Sequence, residues 1–280
     1  MLEKLCGIVG YIGYRAAIPL LVNGLRSLEY RGYDSAGIAV RKDNELYTYK
    51  AQGKLDNLRN LLQSNNCDDE AVNSGIGHIR WATHGVPNQI NAHPHTSNCC
   101  KVTIVHNGII ENYKELRNEL SDKGYEFVSD TDTETVAHLI AEHLKIHSNP
   151  VDAVRTALQK VEGAYALGIM IQDAPNTLIA ARKNAPLLIG LGEGENFFAS
   201  DIPAIIEHTK KAVYLDDNEI AEITRDSFKV YNLDGTVVEK TVENLPWEPI
   251  ALSKMGYKHY MLKEIHEQPD VVRQNLGGRL

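Results

Sequence analysis

The chain has 280 residues, of which 43% are hydrophobic and 24% charged, and both values are ordinary for a globular protein. Its net charge of −8 and its pI near 5.8 argue against a chain-wide surface for nucleic acid or acidic lipid. No apolar run approaches the roughly 20 residues that cross a bilayer, and Met1–Leu5 is too short for a secretory signal. We therefore expect a cytoplasmic protein of one large or two small domains, with neither a membrane nor a nucleic acid as partner.

Hydrophobic periodicity predicts strands in runs, with helices between the runs. The first half is predicted to contain a helix from Ile18 to about Arg31 and strands at Ile8–Ile12, Ala36–Val40, Leu46–Ala51, Ile76–Arg80 and Val102–His106. Helices follow near Asn112–Leu120, Glu134–Leu144 and Val151–Val161. The second half is predicted to contain a short helix at Ile202–His208 and strands at Ala164–Ile171, Thr177–Ala181, Leu187–Gly190, Phe197–Ser200, Val213–Leu215, Ile220–Thr224 and Lys229–Asn232. This order favours an antiparallel, layered α+β domain over a doubly wound parallel sheet.

The end of this domain is predicted near residue 241. Residues 242–257 contain Pro246, Pro249 and Gly256 without sustained periodicity, which is typical of a linker. Residues 258–280 then begin a further unit that the chain does not complete. Residues 6–241 are the expected domain, and residues 1–5 are either a leader or a misassigned start.

Cys6 is the most informative residue of the chain. If it were the first residue, its α-amino group, with a pKa of about 7.7–8.0, could relay the proton of a thiol with a pKa of about 8.5. One residue would then supply both nucleophile and base. Met1–Leu5 precedes it, however, and would block the amine. Initiation at Leu5 followed by methionine removal, or cleavage of a short propeptide, would expose Cys6; otherwise the cysteine stays internal.

Four polar segments beside glycines add candidate catalytic residues: Tyr30–Gly37, Gly77–Gly85, His106–Gly108 and the helix start around Asp132. Each is weak alone, because an Asn-Gly pair is more often a turn and a capping Asp is usually structural. Taken together in chain order, and with Cys6–Gly10 and Asn91–His95 added, these segments resemble the N-terminal glutaminase domain of the glutamine–fructose-6-phosphate amidotransferases. The resemblance covers Cys6–Thr241 and resumes at Lys258–Ile265 and Glu267–Pro269, which look like the start of that family's sugar-isomerase half.

The resemblance implies an N-terminal-nucleophile hydrolase, a four-layer αββα sandwich of two antiparallel sheets that releases ammonia from L-glutamine. Cys6 would attack the side-chain amide and form a glutamyl thioester. Asn107, through its side-chain amide, and Gly108, through its backbone N–H, match the family's oxyanion hole. Arg31 matches an arginine that organises the surroundings of the nucleophile.

The same resemblance implies a binding site for free glutamine. Arg80 would hold the α-carboxylate, and Thr83 and His84 match positions that support this carboxylate. Asp132, at the positive end of its predicted helix, would hold the α-ammonium group. Trp81 lies where the family has a mobile loop and a gate for ammonia.

The resemblance also predicts the partners. In the full-length enzyme the ammonia would convert fructose 6-phosphate to glucosamine 6-phosphate, through a C-terminal half that is mostly absent here and that forms a homodimer. No cofactor is expected. No metal is expected either, because the His93–His95 pair lacks a neighbouring carboxylate or thiolate cluster and is typical of a structural loop.

Two classes of alternative remain at the sequence level, a related amidotransferase and a non-catalytic module. Amidophosphoribosyltransferases share the nucleophile and carry a removable leader, but they typically have an Arg-Gly-Gln segment where this chain has Arg31–Asp34, and a Tyr-Ser-Thr segment where it has Trp81–His84. Asparagine synthetases usually have Arg-Gly-Pro-Asp at the first of these places. A catalytically silent glutamine-binding module is the remaining alternative, if Cys6 stays internal.

Overall fold

The computed structural model describes residues 6–31, 34–67, 72–81 and 86–245, and beyond these only residues 261–262, 265–266 and 268–269. Contacts divide the chain into one compact unit that ends at Leu245 and a second from Pro246 to Leu280. In the second unit the six described residues are helical. No helix formed by the described residues is long and apolar enough to cross a membrane.

The first unit contains five α-helices and fifteen strands among its described residues. The helices are α1 (Ala17–Leu28), α2 (Leu55–Ser64), α3 (Tyr113–Asp122), α4 (Asp132–His143) and α5 (Pro150–Leu158). The strands are β1 (Gly7–Ile12), β2 (Ser35–Lys42), β3 (Glu45–Gln52), β4 (Ser74–Arg80), β5 (His95–Thr96), β6 (Val102–Ile110), β7 (Gly163–Ile171), β8 (Leu178–Lys183), β9 (Leu188–Leu191), β10 (Asn196–Ala199), β11 (Lys211–Tyr214), β12 (Glu219–Ile223), β13 (Phe228–Asn232), β14 (Val237–Val238) and β15 (Glu243–Asn244). Short 3-10 turns lie at Glu29–Arg31 and Ile202–Ala204.

The strands form two sheets. One has eight strands in the order β15-β11-β9-β10-β1-β4-β2-β3, and the other has seven in the order β14-β13-β12-β8-β7-β6-β5. All of these named strands pair antiparallel. The antiparallel α+β class predicted from the order of elements is therefore confirmed.

The two sheets stack face to face with helices outside them. Helices α1 and α2 pack on the eight-stranded sheet, while α4 and α5 pack on the seven-stranded sheet and α3 packs on α4. Between the sheets lies an apolar core, with Ile8 and Ile76 from one sheet and Val105 and Met170 from the other. These layers confirm the four-layer αββα sandwich.

The ring of Phe198 explains why two positions in the predicted strands are glycine. Its fully buried ring fills the space between the sheets, and a Cβ at Gly10 or Gly168 would lie 2.1 or 2.5 Å from a ring atom. The two sheets can therefore approach each other around the ring only because both positions lack a side chain. Burial of such a ring contributes about 2–3 kcal/mol to stability.

Some local predictions were wrong or incomplete. Helix α2 was not predicted, although Leu55, Leu58 and Leu62 are buried at helical spacing. The predicted helix at Ile202–His208 is only a 3-10 turn over Ile202–Ala204, capped by Asp201, whose carboxylate accepts the N–H of Ile202 at 2.8 Å. The predicted linker begins with a short strand, since β15 pairs with β11 at Glu243–Asn244.

Candidate active site

Cys6 lies directly before β1, a central strand of the eight-stranded sheet. β1 pairs with β4, so Cys6 faces the end of β4 and the residue after it, Trp81. The Trp81 N–H lies 3.2 Å from the Cys6 Sγ, and this Sγ lies 3.4 Å from the Trp81 carbonyl oxygen. The thiol is half-buried and held by backbone groups of a neighbouring strand end.

Asn107 and Gly108 face Cys6 from the other sheet. Both belong to β6, and the Asn107 Nδ2 donates to the Cys6 carbonyl oxygen at 3.1 Å. Gly108 has a φ of +128°, and a Cβ there would lie 2.1 Å from the carbonyl oxygen of Ala164 on the paired strand β7. Glycine is therefore required at this position by both backbone conformation and space.

A buried cation and a buried carboxylate lie near the thiol. Arg80 ends β4 and is 3% exposed, while Asp132 begins α4 and is 5% exposed. One carboxylate oxygen of Asp132 accepts the N–H of Ile110 at 2.8 Å, which ties the start of α4 to the end of β6. One small cavity is lined by Cys6, Arg80, Trp81, His93, His106, Gly108, Thr131, Asp132 and Thr133.

The start of α4 is fixed by a network around Glu134. Its carboxylate accepts the N–H groups of Val128 and Ser129 at 2.9 and 2.7 Å. Burial disfavours the ionised form of Glu134, yet hydrogen bonds from His138, Val128 and Ser129 outweigh it and lower its pKa to about 2. The side chain of Thr131 caps the helix at the N–H of Glu134. The Asp132 carboxylate is thus held at the positive end of a rigid helix.

Four buried histidines cluster at the cavity: His93 and His106 line it, and His78 and His95 pack against His93. The rings of His78 and His93 stack at 4.1 Å between centroids, and His95 meets His93 edge-on at 4.9 Å. Burial lowers the pKa of His78 and of His95 to about 3, and it lowers that of His93 well below its usual value. Nearby positive charge acts in the same direction, chiefly Arg80 for His78 and Lys50 for His95.

His93, His95 and His106 hydrogen-bond to side chains of α4 and of the segment before it. The Thr133 hydroxyl lies 2.9 Å from the His106 Nδ1, and the Thr131 hydroxyl lies 3.1 Å from the His95 Nε2. Among the described residues no cluster of His, Cys, Asp or Glu is arranged to hold a metal ion. The sequence placed His78 and His106 in segments with candidate catalytic residues and interpreted His93 and His95 as structural loop residues, but it did not predict that the four side chains cluster.

The structure thus brings together Cys6, Trp81, Arg80 and Asp132, with Asn107 and Gly108 on the facing strand. For Arg31 only the backbone is described, in the 3-10 turn after α1. Thr83 and His84 lie outside the described residues. The roles of all these side chains in chemistry remain predictions.

A four-layer sandwich with a cysteine at the start of a central strand is the architecture of the N-terminal-nucleophile amidotransferases. The chain belongs to the glutamine amidotransferase domain family, whose family model matches residues 63–260.

Curated relatives refine this assignment. A glutamine–fructose-6-phosphate aminotransferase (isomerizing) of Caldanaerobacter subterraneus is 48% identical over 276 residues, which cover 99% of this chain and 45% of the relative. The same enzyme of Thermococcus kodakarensis is 50% identical over 275 residues, covering 98% of this chain and 45% of the relative. The chain therefore spans less than half the length of the curated relatives that it matches.

Solved structures confirm the fold. The glutamine phosphoribosylpyrophosphate amidotransferase of B. subtilis matches with a TM-score of 0.69 and 28% identity, covering 83% of this chain and 50% of that one. A class-II glutamine aminotransferase domain protein from Silicibacter pomeroyi matches with a TM-score of 0.56 and 14% identity, covering 81% of this chain and 99% of that one. At this low identity the second match supports the fold alone.

Proposed function

We propose that this chain hydrolyses the side-chain amide of L-glutamine through a thioester on Cys6, once Cys6 carries a free α-amino group. One observation carries the proposal: a thiol, a buried guanidinium and a buried carboxylate line the same small cavity, at Cys6, Arg80 and Asp132. Free glutamine carries an α-carboxylate, an α-ammonium group and an amide, so this set of groups complements it.

The charged residues select a free amino acid. The planar guanidinium of Arg80 suits a bidentate pair with the α-carboxylate. Asp132 balances the α-ammonium group, which a glutamine inside a protein lacks. Thr83 and His84 would support the carboxylate, and Trp81, the neighbour of the thiol, would close over the substrate.

The chemistry is acyl transfer in two halves. The α-amine of Cys6 takes the thiol proton while Sγ bonds to the amide carbon, and the negative charge moves to the amide oxygen. The Asn107 amide and the Gly108 N–H stabilise this oxyanion. The C–N bond then breaks, and ammonia leaves with the proton from the α-ammonium group. Water next attacks the thioester, glutamate leaves, and the thiol is restored.

The relatives suggest where the ammonia goes. They are named glutamine–fructose-6-phosphate aminotransferases, so we infer that a protein containing this domain and a sugar-isomerase half, beginning within residues 258–280, passes ammonia to fructose 6-phosphate. Arg31 would organise the nucleophile in that protein. A homodimer and a cytoplasmic location are further predictions of the same assignment.

Amidophosphoribosyltransferase is the second candidate. The structural similarity to the B. subtilis enzyme is compatible with it. The curated relatives, at 48–50% identity over nearly the whole chain, favour the sugar-phosphate enzyme instead. We expect a chain that begins at Cys6 to release ammonia, and we expect the 280-residue chain to form no glucosamine 6-phosphate by itself.

The test uses a chain that begins at Cys6, with its N-terminus verified by intact mass. It should produce glutamate and ammonia in equal amounts from glutamine, and Cys6→Ala should abolish both. Cys99→Ala is the matched control, because Cys99 is an exposed thiol outside the cavity. Comparable glutaminase activity in Cys6→Ala would refute the assignment.

A further inference from the structure

His78 lies directly behind the proposed oxyanion-hole amide. It sits on β4, is 1% exposed, and reaches across from one sheet to the other. Its Nε2 is 2.9 Å from the carbonyl oxygen of His106 and 3.0 Å from the Oδ1 of Asn107. A backbone carbonyl only accepts hydrogen bonds, so this Nε2 must carry the proton.

The orientation of the Asn107 side-chain amide is fixed in the same way, by the hydrogen bond of its nitrogen. Its Nδ2 lies 3.1 Å from the Cys6 carbonyl oxygen, which again can only accept. Two backbone carbonyls, of His106 and Cys6, therefore orient the ring and the amide independently. Both orientations agree on one arrangement, in which the single Nε2–H of His78 is shared between the His106 carbonyl oxygen and the Oδ1 of Asn107.

The state of the His78 ring fits this arrangement. Burial and the nearby Arg80 charge lower its pKa to about 3, so the ring is neutral at physiological pH with its proton on Nε2. Its Nδ1 is buried and makes no hydrogen bond with any described residue. In this tautomer the Nδ1 is a bare lone pair, so no buried N–H donor goes unpaired.

The orientation matters because the amide has two N–H groups. One bonds to the Cys6 carbonyl oxygen, which leaves the second for an oxyanion formed at the thiol. If the amide rotated by 180°, its oxygen would face both the Cys6 carbonyl and the developing negative charge. A donor that must first reorient loses most of its value in the transition state.

We propose that His78 is a positioning residue for glutamine hydrolysis: through its Nε2–H it holds the oxygen of Asn107, so that the amide N–H groups face Cys6 and the reacting carbonyl. The proposal rests on the function proposed above. His78 touches neither the thiol nor the cavity in which glutamine would bind. It therefore acts on the rate of the chemical step and not on substrate affinity.

Kinetics on the chain that begins at Cys6 tests this role. His78→Leu removes the donor, and we expect kcat to fall at least about ten-fold with little change in KM, since one oxyanion-hole donor is worth about 10²–10³ in kcat. His78→Gln keeps an N–H at similar reach and should restore most of kcat. His143→Leu is the matched control, because His143 is a buried histidine at the opposite end of α4, where its ring stacks on that of His147.

A double-mutant cycle distinguishes positioning from a general structural effect. In an Asn107→Ala background, His78→Leu should cost almost nothing further, because the group it orients is gone. Multiplicative losses in the double variant, or a wild-type kcat in His78→Leu, would overturn the proposal. Thermal unfolding of each variant shows which of them are folded.

A spectroscopic readout is independent of activity. Nitrogen-15 NMR of the same chain distinguishes a protonated from a bare ring nitrogen, and the His78 signals are assigned by their loss in His78→Gln. We expect the proton on Nε2 and a bare Nδ1; the opposite tautomer would overturn the proposal even if the chain proved inactive. If the chain lacks glutaminase activity while His78 shows the expected tautomer, the proposed function fails and the hydrogen bond stands.

Discussion

The buried histidines should make the fold less stable at acid pH, by an amount that can be calculated from their pKa values. His78, His93 and His95 are neutral in the folded chain, with pKa values lowered by burial to about 3 for His78 and His95 and in the same direction for His93. In the unfolded chain each titrates near its ordinary pKa of about 6.5. Below that pH the unfolded state therefore binds more protons, and stability falls as the pH falls.

The size of the loss follows from linkage. Between pH 7 and pH 5, a histidine with these two pKa values removes about 1.9 kcal/mol of stability, so His78 and His95 together remove about 4 kcal/mol, and His93 adds a loss in the same direction. Glu134 does not contribute in this window, because its pKa of about 2 and its ordinary value near 4.5 both lie below it. Its stabilisation is lost only as the pH falls further, from about 4.5 towards 2.

Denaturant unfolding at a series of pH values measures the loss directly. We expect the free energy of unfolding to decrease steeply between pH 6.5 and pH 5, and His78→Leu to lose about 2 kcal/mol less than the parent over the interval from pH 7 to pH 5. A free energy of unfolding that is flat from pH 7 to pH 5 would refute the account of a buried neutral cluster.

Three further predictions concern single positions. Gly108→Ala should destabilise the fold by about 1–3 kcal/mol or more and reduce kcat, because its φ is +128° and the new Cβ would clash with the Ala164 carbonyl. Thermal unfolding and kinetics measure both effects. Gly124→Ala is the control for the backbone cost alone, because φ is +87° there and a new Cβ would have no atom within 4 Å. Arg80→Lys should raise KM for glutamine more than it lowers kcat, because the bidentate geometry is lost; an unchanged KM would contradict its role. Asp132→Asn should raise KM for glutamine and reduce discrimination against an analogue without the α-amino group, measured as the ratio of the two kcat/KM values.

Much of the fold could be predicted from the sequence, because most strands and four helices carry a clear apolar period. Helix α2 also carries one, at Leu55, Leu58 and Leu62, so its signal was present and missed. The strands β14 and β15 have only two residues each, which is too short to show an alternation of apolar and polar residues. The residues from Thr131 to Glu134 have the sequence pattern of a capping box, in which the first and last side chains bond to each other's backbone N–H. Only half of it forms: Thr131 caps the N–H of Glu134, but the Glu134 carboxylate bonds to Val128 and Ser129.

The candidate site was predictable only in part. Resemblance pointed to Cys6, Arg80 and Asp132, and the structure lines one cavity with all three. His78 lies within the candidate segment Gly77–Gly85, but the sequence assigned this histidine no role of its own. The hydrogen bond between His78 and Asn107 joins two residues that are 29 positions apart and lie on different sheets. It depends on how the sheets stack, which no local sequence pattern encodes.

The central claim is that Cys6 forms a glutamyl thioester. A chain that begins at Cys6 can be mixed with glutamine, quenched in acid within one turnover, digested, and measured by mass spectrometry. We expect a glutamyl group on the peptide that carries Cys6, and none in Cys6→Ala or on the peptides that carry Cys67, Cys99 and Cys100. Glutamate release without any acylated Cys6, or acylation of another cysteine, would contradict it.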